Sequence, residues 1–144
     1  MTAPPEAEVL HASAVALNGR GLVITGRSGS GKSSLALDLI SRGATLIADD
    51  RTIATPRPGG LLWLSAPAAI AGRIEARGVG LIALPTTEAP AALAVTLDET
   101  ETARLPDPRE TLIAGIRLPL LHAVESPAFP AILLACLKGE RIVP

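Results

Sequence analysis

The chain of 144 residues is long enough for one domain with its own core, and no apolar run reaches the ~18 residues that a membrane-spanning helix needs. Its formal net charge of −1 gives no general attraction to nucleic acid or anionic lipid, so neither a nucleic acid nor a membrane is an expected partner. A single cysteine excludes an internal disulfide and a cysteine metal cluster, and the start of the chain lacks the basic cluster of a signal peptide, so a cytoplasmic protein is expected.

The first half of the chain predicts strands interrupted by one helix. The predicted strands cover residues 9–17, 21–25 and 45–48, with a tight turn at 18–21. A helical run begins at Ser34 and stops at Gly43, which is placed to form a left-handed cap. The last of these strands ends in two carboxylates, Asp49 and Asp50.

The second half predicts shorter elements, because prolines and glycines divide it. They are a hairpin with strand residues 53–54 and 61–64, a short turn or helix at 66–70, strands at 81–82, 93–97 and 116–121, and a final helix. That helix is expected to open at Pro130 and to end near Gly139. No repeat and no long linker interrupts the chain, which predicts a single domain.

Residues 26–33 match the phosphate-binding pattern G-x-x-x-x-G-K-[ST], with an apolar strand before it and a helical run after it. The glycines allow backbone N–H groups to converge on a polyphosphate at the helix N-terminus. Lys32 can reach the outer phosphates, and the Ser33 hydroxyl can hold Mg²⁺. The predicted nucleotide-binding residues are Gly26, Arg27, Ser28, Gly29, Ser30, Gly31, Lys32, Ser33 and Ser34.

Asp49 and Asp50 follow the very next strand after this loop. An acidic residue at the end of a strand beside a phosphate loop usually faces the metal or the nucleophile. Aspartate is also common in turns, but two adjacent carboxylates at this place favour a functional role. The sequence alone does not orient the two side chains.

Two further features are ambiguous when taken alone. Glu75 lies between Arg73 and Arg77, and the three would share one face of an extended segment. They form either a solvated ion-pair face or part of a site. His11 and His122 lie in apolar strands, where a histidine is more often structural than functional.

Together these segments resemble the catalytic domain of the HPr kinase/phosphorylase family. The resemblance rests on His11 and on residues 21–33 (GLVITGRSGSGKS), 39–43 (LISRG) and 46–50 (LIADD). Residues 74–82 (IEARGVGLI) resemble that family's second signature, an I-E-x-R-G run followed by an apolar residue and a glycine. The resemblance extends from about residue 9 to the C-terminus and is most specific through Asp50.

The resemblance implies an α/β fold: a mixed β-sheet with a P-loop and flanking helices, related to phosphoenolpyruvate carboxykinase. It implies Mg²⁺-dependent transfer of phosphate from ATP to a serine of HPr, a small phosphocarrier protein. On matching positions, His11, Lys32 and Asp50 are active-site residues, with Asp50 as the base toward the substrate serine. Ser33 and Glu75 are the implied Mg²⁺ ligands. The family commonly forms hexamers, so a homo-oligomer is expected.

The chain departs from the family at its N-terminal side and in one loop. The family usually carries an N-terminal domain, whereas this chain begins near the catalytic strand, so a single P-loop kinase catalytic domain over residues 1–144 is expected. Arg104 is a weak match to the family's arginine-containing loop and is the candidate for its catalytic arginine. The family's P-x-x-P-G-R-N-like loop aligns with residues 123–130, which lack its basic residue and its glycine. Weak phosphorolysis is therefore expected, unless Arg104, Arg109 or Arg117 compensates.

Two other functions fit the same residues. One is a nucleotide-binding regulator without catalysis, which would have no need of a base at Asp50. The other is a small-molecule P-loop kinase, for which a deep cavity near Asp50 would be the favourable observation. A protein substrate requires an open face instead.

Overall fold

A nine-stranded mixed sheet forms the centre of the protein in a computed structural model that describes residues 7–139 and 142. The described residues form the strands β1 Glu8–Leu10, β2 Ala12–Leu17, β3 Arg20–Thr25, β4 Thr45–Ala48, β5 Thr52–Arg57, β6 Leu61–Ser65, β7 Arg73–Ala76, β8 Gly80–Ala83, β9 Ala89–Thr100, β10 Arg109–Ile113 and β11 Ile116–Ala123. They also form the helices α1 Lys32–Ser41 and α2 Phe129–Lys138, and a 3₁₀ turn at Ala68–Ile70. The mixed sheet with flanking helices agrees with the predicted fold class.

In the β11-β9-β3-β2-β4 part of the sheet, four strands point the same way. The sheet order is β1-β5-β6-β9-β3-β2-β4, with β11 beside β9 and β10 beside β11. β3, β9 and β11 are parallel, and β4 has the same direction because β3 and β4 are both antiparallel to β2. The carboxyl ends of these four strands therefore meet at one edge of the sheet, called here the carboxyl edge. Ligands of open α/β sheets bind at such edges.

The central strands carry a core on each face. Leu22 and Ile24 of β3 pack with Leu39 of α1 and Leu133 of α2. Val23, between them in sequence, faces the other side, where it packs with residues of β5 and β6. The β2 residues on that second face are alanines, whose small side chains allow the β1-β5-β6 layer to approach closely. Packing on both faces fixes the position of the loop that follows β3.

Helix α1 has a glycine at each end. Gly31, just before it, has a φ of +99°. At the other end the Gly43 N–H donates to the Ile40 carbonyl (3.1 Å) and the Ala44 N–H to the Leu39 carbonyl (3.1 Å), while Gly43 has a φ of +114°. This pair of bonds is a Schellman motif, so the predicted glycine cap is confirmed.

The observed strands differ from the predicted ones in several places, among them β7 and the length of β5. The predicted strand over 9–17 is two strands, because the chain bends at His11 as it passes from its partner β5 to its partner β3. β9 extends beyond 93–97 at both ends. At its start the additional residues pair with β6. β10 was not predicted, because the run Arg109-Glu110-Thr111 lacks the apolar alternation of a half-buried strand.

Neither α1 nor α2, the α-helices formed by the described residues, has the length and apolarity that crossing a membrane requires.

Candidate functional site

The glycine-rich loop between β3 and α1 is a tight turn at the carboxyl edge. Gly26 (φ +152°) and Gly29 (φ +81°) have positive φ, which glycine adopts without strain. The Ser30 N–H donates to the Arg27 carbonyl at 3.1 Å. A Cβ atom on Gly26 would lie 2.5 Å from the Ser30 Oγ and 3.3 Å from the Leu97 Cβ, and its φ is rare for other residues, so the position favours glycine. The Ser30 hydroxyl is buried and has no hydrogen-bond partner among the described residues.

Lys32 begins α1 and brings a buried positive charge to this turn. The residue is only 7% exposed, and its Nζ donates to the carbonyl oxygens of Gly26 (2.6 Å) and Arg27 (3.0 Å). No carboxylate of residues 7–139 or 142 forms an ion pair with it. An ammonium has three N–H donors, so one remains for another acceptor. A buried ammonium without a carboxylate partner, at a helix N-terminus, favours the binding of an anion.

Asp49 is buried and connects three elements. Its Oδ1 accepts hydrogen bonds from the Ser13 hydroxyl of β2 (2.9 Å) and the Ser33 hydroxyl of α1 (2.6 Å). Its Oδ2 accepts the backbone N–H of Glu75 in β7 at 3.1 Å. Hydrogen bonds to a carboxylate are about twice as strong as neutral ones, so Asp49 fixes the positions of β2, α1 and β7 relative to one another.

Asp50, the next residue, is exposed. The Arg51 N–H donates to the Asp49 carbonyl at 2.7 Å, which makes a γ-turn centred on Asp50 with a φ of +66°. The Asp50 N–H donates to the Ser13 Oγ at 3.2 Å. A γ-turn with positive φ is rare and strained, and such strain is concentrated at functional sites. The structure therefore separates two carboxylates that the sequence left equivalent.

The β7–β8 hairpin is a separate two-stranded sheet that packs beside α1. Ile74 of β7 is fully buried in the core shared with α1. Its neighbour Glu75 is exposed but is fixed through its backbone bond to Asp49. This anchoring brings Glu75 and Arg77 to the site, whereas Arg73 does not line it.

These elements enclose a polar cavity of ≈ 320 Å³, within the range of about 300–1,000 Å³ typical of small-molecule sites. Its wall consists of Ser28, Gly29, Gly31, Lys32, Ser33, Ser34, Asp50, Glu75 and Arg77. Most of the predicted nucleotide-binding residues are among them. The remaining three, Gly26, Arg27 and Ser30, shape the turn behind the wall. The wall thus contains two cationic side chains, Lys32 and Arg77, and two carboxylates, Asp50 and Glu75.

The two other residues predicted for catalysis lie outside this wall. His11 is exposed at the bend between β1 and β2, directly before Ala12, which pairs with Thr25 at the carboxyl edge. Arg104 is exposed in the connection between β9 and β10. Their proposed catalytic roles stay predictions.

The connection that carries Arg104 is fixed at its base by Glu101. The Glu101 carboxylate accepts the N–H groups of Thr102 (3.1 Å) and Ala103 (3.2 Å) and pairs with Arg109 at 3.3 Å. The bond from the Ala103 N–H, followed by the contacts with Arg109, lowers the pKa of Glu101. Arg109 and Arg117 line a different cavity, so neither adds positive charge to the wall of the site.

Sequence reasoning missed two polar residues that shape the site. Ser13 bonds both Asp49 and Asp50 from the middle of an apolar strand. Asp98, near the end of β9, accepts the backbone N–H of Arg27 at 3.0 Å. Only the parallel pairing of β9 with β3 brings Asp98 to the loop, and no local pattern predicts that pairing.

The oxygen donors of the wall fit Mg²⁺. The Ser33 hydroxyl donates its proton to Asp49, which leaves its lone pairs for a cation, and the Glu75 carboxylate lines the same cavity. Within the described residues, no three or more His, Cys, Asp or Glu side chains converge to hold an ion by themselves. Mg²⁺ in phosphotransfer sites is commonly held by one or two carboxylates together with the substrate phosphates.

Comparisons with known proteins identify the family of this chain. Residues 4–88 match the family model for the HPr Serine kinase C-terminal domain. The HPr kinase/phosphorylase of Chloroherpeton thalassium is 46% identical over 72 residues, which are 50% of this chain and 21% of that protein. The HPr kinase/phosphorylase of Clostridium tetani is 44% identical over 77 residues, 54% of this chain and 25% of that protein. The matched region is thus a quarter or less of these relatives' length.

A solved structure is similar over nearly the whole chain. The Hpr(Ser) kinase/phosphatase from Coxiella burnetii superimposes with a TM-score of 0.71 and 25% sequence identity. The match covers 91% of this chain and 93% of the solved one. The predicted mixed α/β fold is confirmed by this match.

Proposed function

The chain belongs to the HPr Serine kinase C-terminal domain family, and from this premise we propose that it is an ATP- and Mg²⁺-dependent serine kinase acting on an HPr-like phosphocarrier protein. The observation that carries the proposal is the convergence of Lys32, Ser33, Asp50 and Glu75 on one polar cavity. Lys32 and Ser33 begin α1, Asp50 follows β4 and Glu75 lies in β7, and each has a distinct use in phosphoryl transfer.

The loop and Lys32 would bind the ATP phosphates. The N-terminus of α1 attracts negative charge, and the remaining donor of Lys32 Nζ is free to bond a phosphate oxygen. Ser33 and Glu75 would hold Mg²⁺, which neutralises charge on the phosphates when bound. Asp49 would act as a positioning residue, because its bonds to Ser33 and Glu75 fix both proposed ligands.

Asp50 would be the base. The substrate serine oxygen attacks the γ-phosphorus of ATP, the bond from that phosphorus to the bridging oxygen of ADP breaks, and the serine proton passes to Asp50. Asp50 and Glu75 are both exposed, so a serine on a protein loop can reach the site. This exposure supports a protein substrate over a small molecule held in a deep cavity.

The test is transfer from γ-labelled ATP to a panel of purified HPr-like carriers, with Mg²⁺ and with the full chain. Label should appear on a carrier serine with wild type and be lost with Lys32→Ala. Tight ATP binding with no transfer to any carrier would support a non-catalytic regulator. Transfer only to small hydroxyl compounds would support a small-molecule kinase.

Phosphorolysis would be weak. Attack of inorganic phosphate on phosphoserine brings two anions together and needs extra positive charge. Residues 123–130 connect β11 to α2 at the carboxyl edge and contain no Arg or Lys. Arg77 belongs to the charges that the wall already has, so it does not replace the missing basic residue of this loop. Pyrophosphate release from phosphorylated carrier in millimolar phosphate should be far slower than forward transfer, and equal rates would contradict this expectation.

We also propose a homo-oligomer, on the strength of the family resemblance and of exposed apolar residues. Leu112 on β10 is 64% exposed, and Leu105 in the preceding connection is 69% exposed. Light scattering at micromolar concentration measures the assembly, and a monomer mass would contradict it.

A further inference from the structure

A second cavity lies at the opposite end of β3 from the glycine-rich loop. Its volume is ≈ 390 Å³, and β3, β9, the β10–β11 hairpin and α2 contribute its wall. β3 has 6 residues, so at ~3.3 Å per residue its first and last Cα atoms are about 17 Å apart. Among the described residues, none lines both cavities. The second cavity is therefore separate from the proposed ATP site.

Two arginines of this cavity are fixed by other contacts. Arg20, at the start of β3, donates through Nη1 to the carbonyl oxygens of Leu137 (3.1 Å) and Gly139 (2.8 Å). It thereby caps the C-terminus of α2 and is held at the rim. Arg109 is held by its ion pair with Glu101. Both guanidinium groups are thus positioned by the fold.

Arg117 differs from these two. The Arg117 side chain forms no hydrogen bond or ion pair with any residue in the described part of the chain. Its guanidinium therefore keeps a planar fork of donors suited to a carboxylate or phosphate. Glu110 is the one acidic residue of the described wall, so the arginines give the cavity a net positive charge.

The remainder of the wall is apolar. Leu93 belongs to the core that α1 and α2 cover, and Pro119 lies on the same side of β11 as Arg117, two residues away. The other apolar residues of the wall are Ala92, Pro108, Leu118 and Cys136. An apolar wall with a few placed charges is typical of a site for an organic molecule, since inorganic anions gain nothing from apolar contacts. The site at the glycine-rich loop has the opposite character, because its wall is mainly polar.

We propose that this second cavity binds a small amphipathic anion, with its carboxylate or phosphate head on Arg117 and its apolar body against Leu93 and Pro119. The positive charges of Arg20 and Arg109 attract the anion, but neither side chain forms an ion pair with it. The proposal is independent of the kinase activity, because the cavity lies at the other end of β3.

The test uses anilinonaphthalene sulfonate as a fluorescent amphipathic anion and phenylnaphthylamine as its neutral counterpart. Wild type should bind one equivalent of the anion saturably, and bind the neutral compound at least tenfold more weakly. Arg117→Ala should weaken anion binding about tenfold, as expected for a hydrogen bond to a charged group. Arg117→Lys should retain more of the affinity, because it keeps the charge.

Matched controls locate the binding. Arg73→Ala removes an exposed arginine of β7 outside this cavity and should bind the anion like wild type, and so should Lys32→Ala, which alters the proposed ATP site. Equal melting temperatures exclude partial unfolding as the source of probe fluorescence. Naphthyl phosphate or naphthoate should displace the probe, and the better competitor identifies the preferred head group.

The proposal is overturned if Arg117→Ala binds like wild type, if Lys32→Ala abolishes binding, or if the neutral compound binds as tightly as the anion. Failure of both competitors to displace the probe would also overturn it.

Discussion

Asp49 and Asp50 follow the same strand, but their surroundings differ in every respect that matters for chemistry. Asp49 is buried and accepts hydrogen bonds from two hydroxyls and one backbone N–H. A carboxylate with these bonds is unsuited to take a proton from a substrate. Asp50 is exposed on a strained turn in the cavity wall, where a substrate hydroxyl can reach it.

Replacing each aspartate by asparagine should separate the two roles. Asp50→Asn should keep the fold, because asparagine tolerates the positive φ of +66°, and ATP affinity should stay close to wild type. The transfer rate should fall about 10²–10⁴-fold, which is typical for loss of a general base. Asp49→Asn should instead lower the free energy of unfolding by about 1–3 kcal/mol, because its amide cannot accept from all three donors.

Thermal melting, ATP titration and transfer assays on both variants measure these effects. The assignment of the base would be wrong if Asp49→Asn melted like wild type yet lost more transfer activity than Asp50→Asn.

Asp98 acts on the loop from a distant part of the sequence. Its Oδ1 accepts the Arg27 N–H at 3.0 Å, and the Arg27 Nε lies 3.8 Å from the same oxygen. The ion pair is exposed and contributes little, so the backbone bond is the contact that positions the loop.

Asp98→Ala should raise the Kd for ATP several-fold, because the first turn of the loop loses its support. Asp98→Asn is the matched control, since its amide oxygen still accepts the Arg27 N–H, and it should bind ATP nearly like wild type. Asp107→Ala removes an exposed carboxylate of the connection between β9 and β10 and should have no effect. Equal ATP affinity in Asp98→Ala and wild type would exclude a positioning role.

At the scale of elements, glycines define both ends of the segment from the loop to the end of α1. Gly26 and Gly43 both have positive φ, but only Gly26 lies against other atoms. A methyl group on Gly43 meets nothing within 4 Å, whereas one on Gly26 lies 2.5 Å from the Ser30 Oγ. Substitution at Gly43 therefore adds backbone strain alone, whereas substitution at Gly26 adds strain and a steric clash within the loop.

Gly43→Ala should lower the free energy of unfolding by about 1–2 kcal/mol through its strained φ and leave ATP affinity unchanged. Gly26→Ala should abolish ATP binding, because the loop must open to accommodate the new methyl group. Melting curves and ATP titrations of both variants test this difference. Wild-type ATP affinity in Gly26→Ala would show that the loop tolerates the methyl group.

The sequence predicted correctly those elements whose characteristic residues lie close together in the chain. The turn before β3, the loop, α1 with its glycine cap, and β4 with its two aspartates are short-range features. β10 was missed because an edge strand with a polar start has no alternation to detect. The placement of Glu75 at the site was uncertain because it depends on the bond from its backbone to Asp49, a tertiary contact.

At the scale of the whole molecule, β9 connects the two layers. Its first residues pair with β6 of the β1-β5-β6 layer, and its later residues pair with β3 and β11 in the part of the sheet that α1 and α2 cover. The cores on the two faces therefore share the same central strands. Neither layer can lose its packing without exposing the apolar side chains of the other.

This continuity predicts cooperative unfolding as one unit, which Trp63 can report. The chain's only tryptophan lies on β6, with Arg57 stacked 4.1 Å from its ring centre and its Nε1 donating to Glu88 at 2.6 Å. Its fluorescence reports unfolding of the β1-β5-β6 layer, whereas far-ultraviolet circular dichroism reports loss of secondary structure over the whole chain. Denaturant curves from the two signals should coincide, as expected for a two-state domain of this size. A fluorescence transition at lower denaturant than the circular dichroism transition would mean that the β1-β5-β6 layer separates first, and that the shared strand β9 does not couple the two cores.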